Sequence, residues 1–399
     1  MQSAPQAYPL GYVEDAGKPR TQLDAFFSVL WWKMTLREKI GQLFMLGFDG
    51  AIVSKDMVRL IDEYQPGGFI VFKRNLESAN QIVKLTNKLQ KQAKDSPFLI
   101  AIDQEGGRVS RLPDGFTIFP PCAALEFASD SRLAYEVAAI TAAELKAVGI
   151  NMNMAPVLDI NTNAANPIIG DRAFSAKPAT VCELGLATIA GLQDNKVVAC
   201  GKHFPGHGDT TKDSHLELPV VASSFERMHD MELRPFRHAI DNELATIMTA
   251  HVSYPKIDPQ FPATLSYIIL TDLLRDQLHF KGVIVTDDLE MRAIIDHYGI
   301  EDASLMAFQA GADILLICKE RERQVAAMEA IYRAVKDGKI SETRLDASLR
   351  RIARVKERFL TPYAPADPAA AKSIIGCARH QTVFDTVRKT DERRLKATV

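Results

Sequence analysis

The sequence contains few cysteines, and they form no recognisable pattern. Its five cysteines are odd in number, lie scattered along 399 residues and include no Cys-x-x-Cys pair. A disulfide framework or a structural zinc site would need such pairs or clusters. We therefore expect reduced cysteines in a protein core and a cytoplasmic protein.

Other absences narrow the class of protein further. No run of 18 or more apolar residues occurs, so no membrane span is predicted, and no basic start followed by an apolar stretch indicates a secretory signal. The 48 Lys and Arg residues balance 50 Asp and Glu residues, which gives no bulk attraction to nucleic acid or to an anionic membrane. Neither a GxxxxGK[ST] motif nor a strand-linked GxGxxG motif is present, so we expect no nucleotide cofactor.

Eight short apolar runs alternate with longer segments of helical periodicity. Most of the runs are continuously apolar, as expected of strands that are covered on both faces. Eight β-then-α units over roughly 320 residues predict a single (β/α)8 TIM-type barrel of the α/β class, with a doubly wound sheet as the alternative. The predicted strands are Phe44–Phe48, Gly68–Phe72, Phe98–Asp103, Met152–Ile160, Val197–Phe204, Ala245–Val252, Gly282–Asp287 and Asp313–Cys318.

The chain divides into one predicted barrel and two tails. Residues 1–34 are predicted to form an N-terminal extension and residues 35–360 the catalytic barrel, whose first helix opens with a capping box that starts at Thr35. A Pro-rich stretch breaks the pattern after the barrel. The tail, residues 361–399, is predicted to contain one helix around residues 369–388, packed on the barrel.

Five consecutive predicted strands end in ionisable residues. In a barrel of this kind, active sites form where strands end and βα loops begin. Any one of these residues could be a surface charge, but five strand ends on one rim indicate a polar ligand. Carboxylates, arginines, lysine and histidines together suit a ligand rich in hydroxyl and amide groups. The residues are Asp103, Arg108 and Arg111 after strand three, Asp159 and Arg172 after strand four, Lys202 and His203 on strand five, His251 on strand six, and Asp287 and Asp288 on strand seven.

The segment that follows strand five is too polar for a core and too rich in glycine for a helix. In a loop, the two-residue spacing of Asp213 and His215 lets the carboxylate hold one imidazole nitrogen while the other faces a substrate. A metal site is the alternative, because His203 and His207 with Asp209 offer nitrogen and oxygen ligands. At least one histidine of this loop is expected only to bond to its surroundings.

The pair Asp287-Asp288 ends a strand that should be buried. Adjacent strand residues point to opposite faces, so one of the two carboxyl groups can look into the barrel mouth. The other is expected to bind backbone amides at the start of the following helix. Alternation alone leaves open which residue has which role.

Three motifs of the chain resemble those of the family 3 glycoside hydrolases. They are Lys-His-Phe-Pro-Gly-His-Gly-Asp from Lys202 with Asp-Ser-His from Asp213, Asp-Gln-Glu-Gly-Gly-Arg from Asp103, and Thr-Asp-Asp-Leu around Asp287. The first motif is similar to the bacterial β-N-acetylglucosaminidases of peptidoglycan recycling in particular. The resemblance covers about residues 35–360.

The resemblance implies a role for each matching residue. Asp287 would be the nucleophile, His215 the acid/base and Asp213 its partner, with no metal and no cofactor. The residues expected to contact N-acetylglucosamine are Asp103, Arg111, Arg172, Lys202 and His203.

The implied activity is a retaining exo-β-N-acetylglucosaminidase. It would act on a small carbohydrate substrate, N-acetylglucosamine-anhydro-muramyl peptides of cell-wall recycling, by double displacement. A phosphorylase or a β-glucosidase of the same family and a non-catalytic sugar-binding barrel are the alternatives. The oligomeric state is left open.

Overall fold

The computed structural model describes residues 33–210 and 217–397, and it contains a closed barrel of eight parallel strands. Neighbouring strands in the chain are neighbours in the barrel, and Phe44 of the first strand pairs with Leu315 of the last to close it. The predicted (β/α)8 fold is confirmed. The strands are β1 Phe44–Leu46, β2 Gly68–Val71, β3 Leu99–Ile102, β4 Met152–Asn153, β5 Val198–Phe204, β6 Thr246–Thr249, β7 Val283–Asp288 and β8 Ile314–Ile317.

All eight predicted strands exist, but several are shorter than predicted. The largest difference is at β4, where only Met152 and Asn153 pair in the ladder, although the apolar run continues to Ile160. Residues 154–160 are buried without belonging to a strand, apart from a single bridge between Val157 and Lys202. An apolar sequence indicates burial, not strand pairing. Here residues 154–160 leave the barrel wall and are buried at its rim.

Helices surround the barrel, and within the described ranges none is long and apolar enough to cross a membrane. Three 3-10 turns lie in the loops, at Lys73–Asn75, Gly170–Arg172 and Ala263–Leu265, and a π-helical segment spans Ile268–Gln277. The α-helices are α1 Leu36–Gly41, α2 Lys55–Tyr64, α3 Ala79–Gln90, α4 Ala123–Ala128, α5 Ser131–Ala147, α6 Pro178–Asp194, α7 Phe225–Asp230, α8 Leu233–Asp241, α9 Arg292–Ala310, α10 Arg321–Lys336, α11 Glu342–Leu360, α12 Pro368–Ile374 and α13 Ala378–Ala397.

The predicted capping box at the start of the barrel is confirmed. The Thr35 hydroxyl accepts a hydrogen bond from the Glu38 amide at 3.2 Å, and the Glu38 carboxylate accepts one from the Thr35 amide at 2.8 Å. The predicted N-terminal extension, residues 1–34, lies outside the described residues up to residue 32.

The C-terminal tail differs from its prediction, because it forms two helices where one was expected. Helix α12 stops at Ile374, Ile375 is extended, and Gly376 adopts a φ of 60° that favours glycine. Helix α13 then packs into a small second core with α4, α5 and α6, in which Phe119, Leu125 and Val387 are buried.

Candidate active site

The carboxyl ends of β3, β5 and β7 bring three predicted site residues to one mouth of the barrel. The Lys202 ammonium lies 2.8 Å from an Asp103 carboxylate oxygen. Asp287 is the penultimate residue of β7; burial alone would raise its pKa, and the positive charge of Lys202 is among the influences that lower it. Parallel strands in a closed barrel present their carboxyl ends on the same rim, so residues about 100 positions apart in sequence meet here.

Glu105 connects these groups, and our sequence reasoning did not select it. One of its oxygens lies 2.6 Å from the Lys202 ammonium, and both oxygens accept hydrogen bonds from the Arg172 guanidinium at 2.8 Å. Burial by itself would raise the pKa of Glu105, but Lys202 and Arg172 together hold it well below its usual range. The site therefore contains a network in which the side chains of Lys202 and Arg172 hold Glu105 in its ionised form.

Arg111 retains hydrogen-bonding capacity within this network. Its nearest guanidinium nitrogen is 4.0 Å from the second Asp103 oxygen, and its buried Nε has no hydrogen-bond partner among the described residues. A buried donor without a partner is unfavourable, and a ligand with oxygen acceptors would satisfy it. Arg111 and Arg172 are the two arginines predicted to bind substrate. Of these, Arg111 is the one whose Nε lacks a hydrogen-bond partner among the described residues.

His203 is held by Asp159, which the sequence placed on the rim without assigning it a role. An Asp159 oxygen lies 2.7 Å from His203 Nδ1, and the other oxygen accepts hydrogen bonds from the His203 and His207 amides at 3.1 and 2.6 Å. A carboxylate can only accept, so Nδ1 carries the hydrogen and Nε2 is the nitrogen left for a ligand.

His207 is the first histidine of the segment that follows β5. It is buried, and its Nδ1 lies 3.0 Å from the Thr210 hydroxyl. Burial, with the neighbouring His203, lowers the pKa of His207 to about 4, so its ring is neutral at pH 7. His207 is therefore our candidate for the histidine predicted to bond only to its surroundings, and this role stays a prediction.

Two of the predicted catalytic residues, Asp213 and His215, lie outside the described residues. Within residues 33–210 and 217–397, no group of three or more side chains is arranged to hold a metal ion. His203, His207 and Asp209, the set proposed for a metal, have separate partners, and the Asp209 carboxylate accepts a hydrogen bond from Thr162 at 3.2 Å.

The two adjacent carboxyl groups of β7 have different surroundings. Burial would raise the pKa of Asp287, but His251, His203, the Asp288 amide and Lys202 lower it below its usual value. Burial raises the pKa of Asp288 to about 7, with Glu290 and Asp287 adding to the effect. Asp288 accepts hydrogen bonds from the Glu290 amide at 3.1 Å and the Cys318 amide at 3.3 Å, which is the amide-binding role expected for one residue of the pair.

His251, in the loop after β6, contacts the backbone of β7. Its Nε2 is 2.9 Å from the Asp288 carbonyl oxygen, and its Nδ1 is 2.8 Å from the Thr264 hydroxyl. Since a carbonyl can only accept, Nε2 carries the hydrogen. His251 and Asp159 lie after strand ends, as the sequence predicts for rim residues, and Glu105 follows β3.

The chain is similar to proteins of one known family. The family model described as the glycosyl hydrolase family 3 N terminal domain matches residues 35–355. A β-hexosaminidase A of Pseudoalteromonas piscicida is 38% identical over 352 residues, which are 82% of this chain and 58% of that protein. A β-hexosaminidase of Nitrosomonas eutropha is 39% identical over 305 residues, which are 74% of this chain and 87% of that protein.

A solved structure extends the similarity to three dimensions. A family 3 β-N-acetylglucosaminidase from Paenibacillus superposes with a TM-score of 0.87 at 44% identity, and the match covers 90% of this chain and 69% of that one. This chain is thus shorter than that protein, and it spans little more than half of the Pseudoalteromonas relative.

Proposed function

The chain belongs to family 3 of the glycosyl hydrolases, as its motifs predict, and from this premise we propose that it is a retaining exo-β-N-acetylglucosaminidase. The observation that supports the proposal best is the ionised Asp287 at the end of β7, on the rim that carries Lys202, Glu105 and Arg172. A nucleophilic carboxylate beside hydroxyl-binding charges is the arrangement that a retaining glycosidase needs.

In the proposed reaction, an Asp287 carboxylate oxygen attacks the anomeric carbon of the terminal sugar. The glycosidic bond breaks as the new C–O bond forms, and a covalent glycosyl-enzyme results. The lowered pKa keeps Asp287 ionised at neutral pH, so that no proton needs to leave before the attack. Water then attacks the same carbon and releases the sugar with its anomeric configuration retained.

We assign the proton transfers to His215, with Asp213 as its partner, on the basis of the motif alone. His215 would give its proton to the leaving oxygen and later take one from the attacking water. An unperturbed imidazole pKa of about 6.5 suits both steps near neutral pH. The acid form is cationic and the base form neutral, so no second negative charge faces Asp287.

The sugar hydroxyls and the acetamide would contact the charged network. Asp103 and Glu105 accept hydrogen bonds, whereas Lys202, Arg172 and the free Nε of Arg111 donate them. His203 would accept or donate through Nε2, with its orientation held by Asp159. By the resemblance of the loop motif, the physiological substrate would be an N-acetylglucosamine-anhydro-muramyl peptide in the cytoplasm.

The first test is product analysis by NMR on an aryl N-acetyl-β-glucosaminide, with and without inorganic phosphate. We expect free N-acetylglucosamine that forms first as the β-anomer, and slower turnover of the matching glucoside and xyloside. Sugar 1-phosphate as the main product would instead establish a phosphorylase. Faster turnover of the glucoside would overturn the assigned sugar preference.

The second test is Asp287→Ala, which removes the proposed nucleophile. Hydrolysis of the aryl N-acetyl-β-glucosaminide should fall by at least about a thousandfold, because no glycosyl-enzyme can form. Sodium azide should restore turnover by attacking the anomeric carbon directly, and the product should be the α-glycosyl azide. An unchanged melting temperature is the control for folding, and a β-azide product would contradict the assignment.

The third test is His215→Ala, compared on two aryl N-acetyl-β-glucosaminides with good and poor leaving groups. A good leaving group departs without protonation, whereas a poor one needs the acid. We expect the first step to slow by about a hundredfold more for the poor leaving group. Equal and unimpaired rates on both substrates would show that another residue supplies the proton.

A further inference from the structure

A buried carboxylate outside the charged network joins three separate parts of the molecule. Glu144 of α5 is 1% exposed and accepts four hydrogen bonds. Two come from Thr117, whose amide and hydroxyl lie at 2.8 and 2.7 Å, and the others come from the Gly376 amide at 2.9 Å and His380 Nδ1 at 2.7 Å. Thr117 belongs to the loop after β3, and Gly376 and His380 belong to the C-terminal tail.

The loop after β3 leads directly from this carboxylate to the charged network. Two residues beyond Thr117, the Phe119 carbonyl accepts a hydrogen bond from the Gly107 amide at 2.8 Å. The amides of Glu105 and Gly106 both donate to the Val109 carbonyl and form a tight turn against this segment. The Glu105 side chain on that turn holds Lys202 and Arg172, so the position of the turn determines where the network lies.

The tail contacts the same loop through close packing as well. A Cβ atom added at Gly376 would lie 2.4 Å from the Gly115 carbonyl oxygen, so the tail backbone rests directly on the loop backbone. The rings of Phe119 and Phe384 are 6.4 Å apart, and Val387 is buried beside them. These contacts pack the tail against the loop after β3.

We propose that the C-terminal tail positions the loop after β3 for sugar binding, and that Glu144 and His380 are the positioning residues. The tail lies beyond residue 355, where the family match ends, so the barrel core alone does not supply this support. The proposal rests on the proposed function for its kinetic consequence. Neither residue touches the sugar; both act through Thr117 and the turn that carries Glu105.

The test uses three variants of the full chain. His380→Leu removes the donor to Glu144, and His380→Asn keeps an N–H group at nearly the same place. Arg379→Ala changes an exposed neighbour on the same helix and is the matched control. The measurements are kcat and KM on an aryl N-acetyl-β-glucosaminide and hydrogen–deuterium exchange of the peptide covering residues 104–119.

For His380→Leu we expect KM to rise about tenfold with kcat within about twofold, because the loop contributes to ground-state and transition-state binding alike. Exchange at the Gly107 and Thr117 amides should become at least about tenfold faster. His380→Asn and Arg379→Ala should match the wild type in both measurements.

A lower melting temperature with unchanged KM and unchanged loop exchange would overturn the proposal, since the tail would then only add stability. The same holds if His380→Asn is as impaired as His380→Leu. If the wild type does not hydrolyse the N-acetylglucosaminide, the proposed function fails, and loop exchange still decides whether the tail positions the loop.

Discussion

Lys356 is the residue whose side chain is least expected in its surroundings. It is 4% exposed on α11, and its ammonium donates one hydrogen bond, to the Gln42 side-chain oxygen at 2.9 Å. Burial lowers the pKa of Lys356 to about 7. An unfolded lysine has a pKa of about 10.4, so between these values the unfolded chain binds more protons than the native one. The free energy of unfolding should therefore rise with pH from about 7 to about 10, and the contribution of Lys356 should be constant below that window.

Replacing this lysine with methionine tests the effect. At pH 7, Lys356→Met should raise the melting temperature by about 2–4 °C, because a buried amine with no charged partner in the described part of the chain is replaced by an apolar side chain of similar length. The gain should shrink as the pH rises towards 10. Thermal unfolding from pH 6 to pH 10, with the exposed Lys336→Met as control, measures it. A loss of stability that is equal at every pH would contradict the assigned cause.

At the scale of elements, the loop after β4 supports the loop after β5. The Asn166 side chain donates to the His207 and Gly208 carbonyls at 2.9 and 3.1 Å. Its oxygen accepts hydrogen bonds from the amides of Ile168 and Ile169, the residues just before the 3-10 turn that carries Arg172. One buried amide side chain therefore ties the loop after β5 to the turn that carries Arg172, which we propose binds the sugar.

Removing that link should affect catalysis more than stability. In Asn166→Ala, we expect kcat/KM to fall about tenfold or more on an aryl N-acetyl-β-glucosaminide with a poor leaving group. The reason is that a small displacement of a catalytic group lowers the reaction rate strongly. The fall should be smaller with a good leaving group, which needs no acid. Asn195→Ala is the matched control, since the Asn195 side chain bonds within its own helix, to the Gly191 carbonyl. Equal losses on both substrates would show that Asn166 does not act through the histidine loop.

For the whole molecule, periodicity predicted eight β-then-α units, because most strands are continuously apolar and covered on both faces, but a doubly wound sheet remained an alternative to the closed barrel. Periodicity could not predict where pairing stops. The run from Met152 to Ile160 is buried throughout, yet only its first two residues join the sheet. The two tail helices were predicted as one, because the break depends on the backbone of Gly376 packing against the loop at Gly115.

The candidate site was likewise predictable where the signal lies at a strand end, and not where it depends on partners far along the chain. Charged strand ends are visible in the sequence, and the structure brings Asp103 and Lys202 together as ion partners. Glu105 was missed because its importance comes from Arg172 and Lys202, which lie 67 and 97 positions further along the chain. No local pattern distinguishes such a carboxylate from one that faces water.

Closure of the barrel has a consequence for synthesis on the ribosome. Phe44 pairs with Leu315, so about 270 residues separate the two strands that complete the wall. A nascent chain that has not yet produced β8 carries two open strand edges, and such edges can pair with other chains. These open edges are therefore removed only when β8 has been made and pairs with β1.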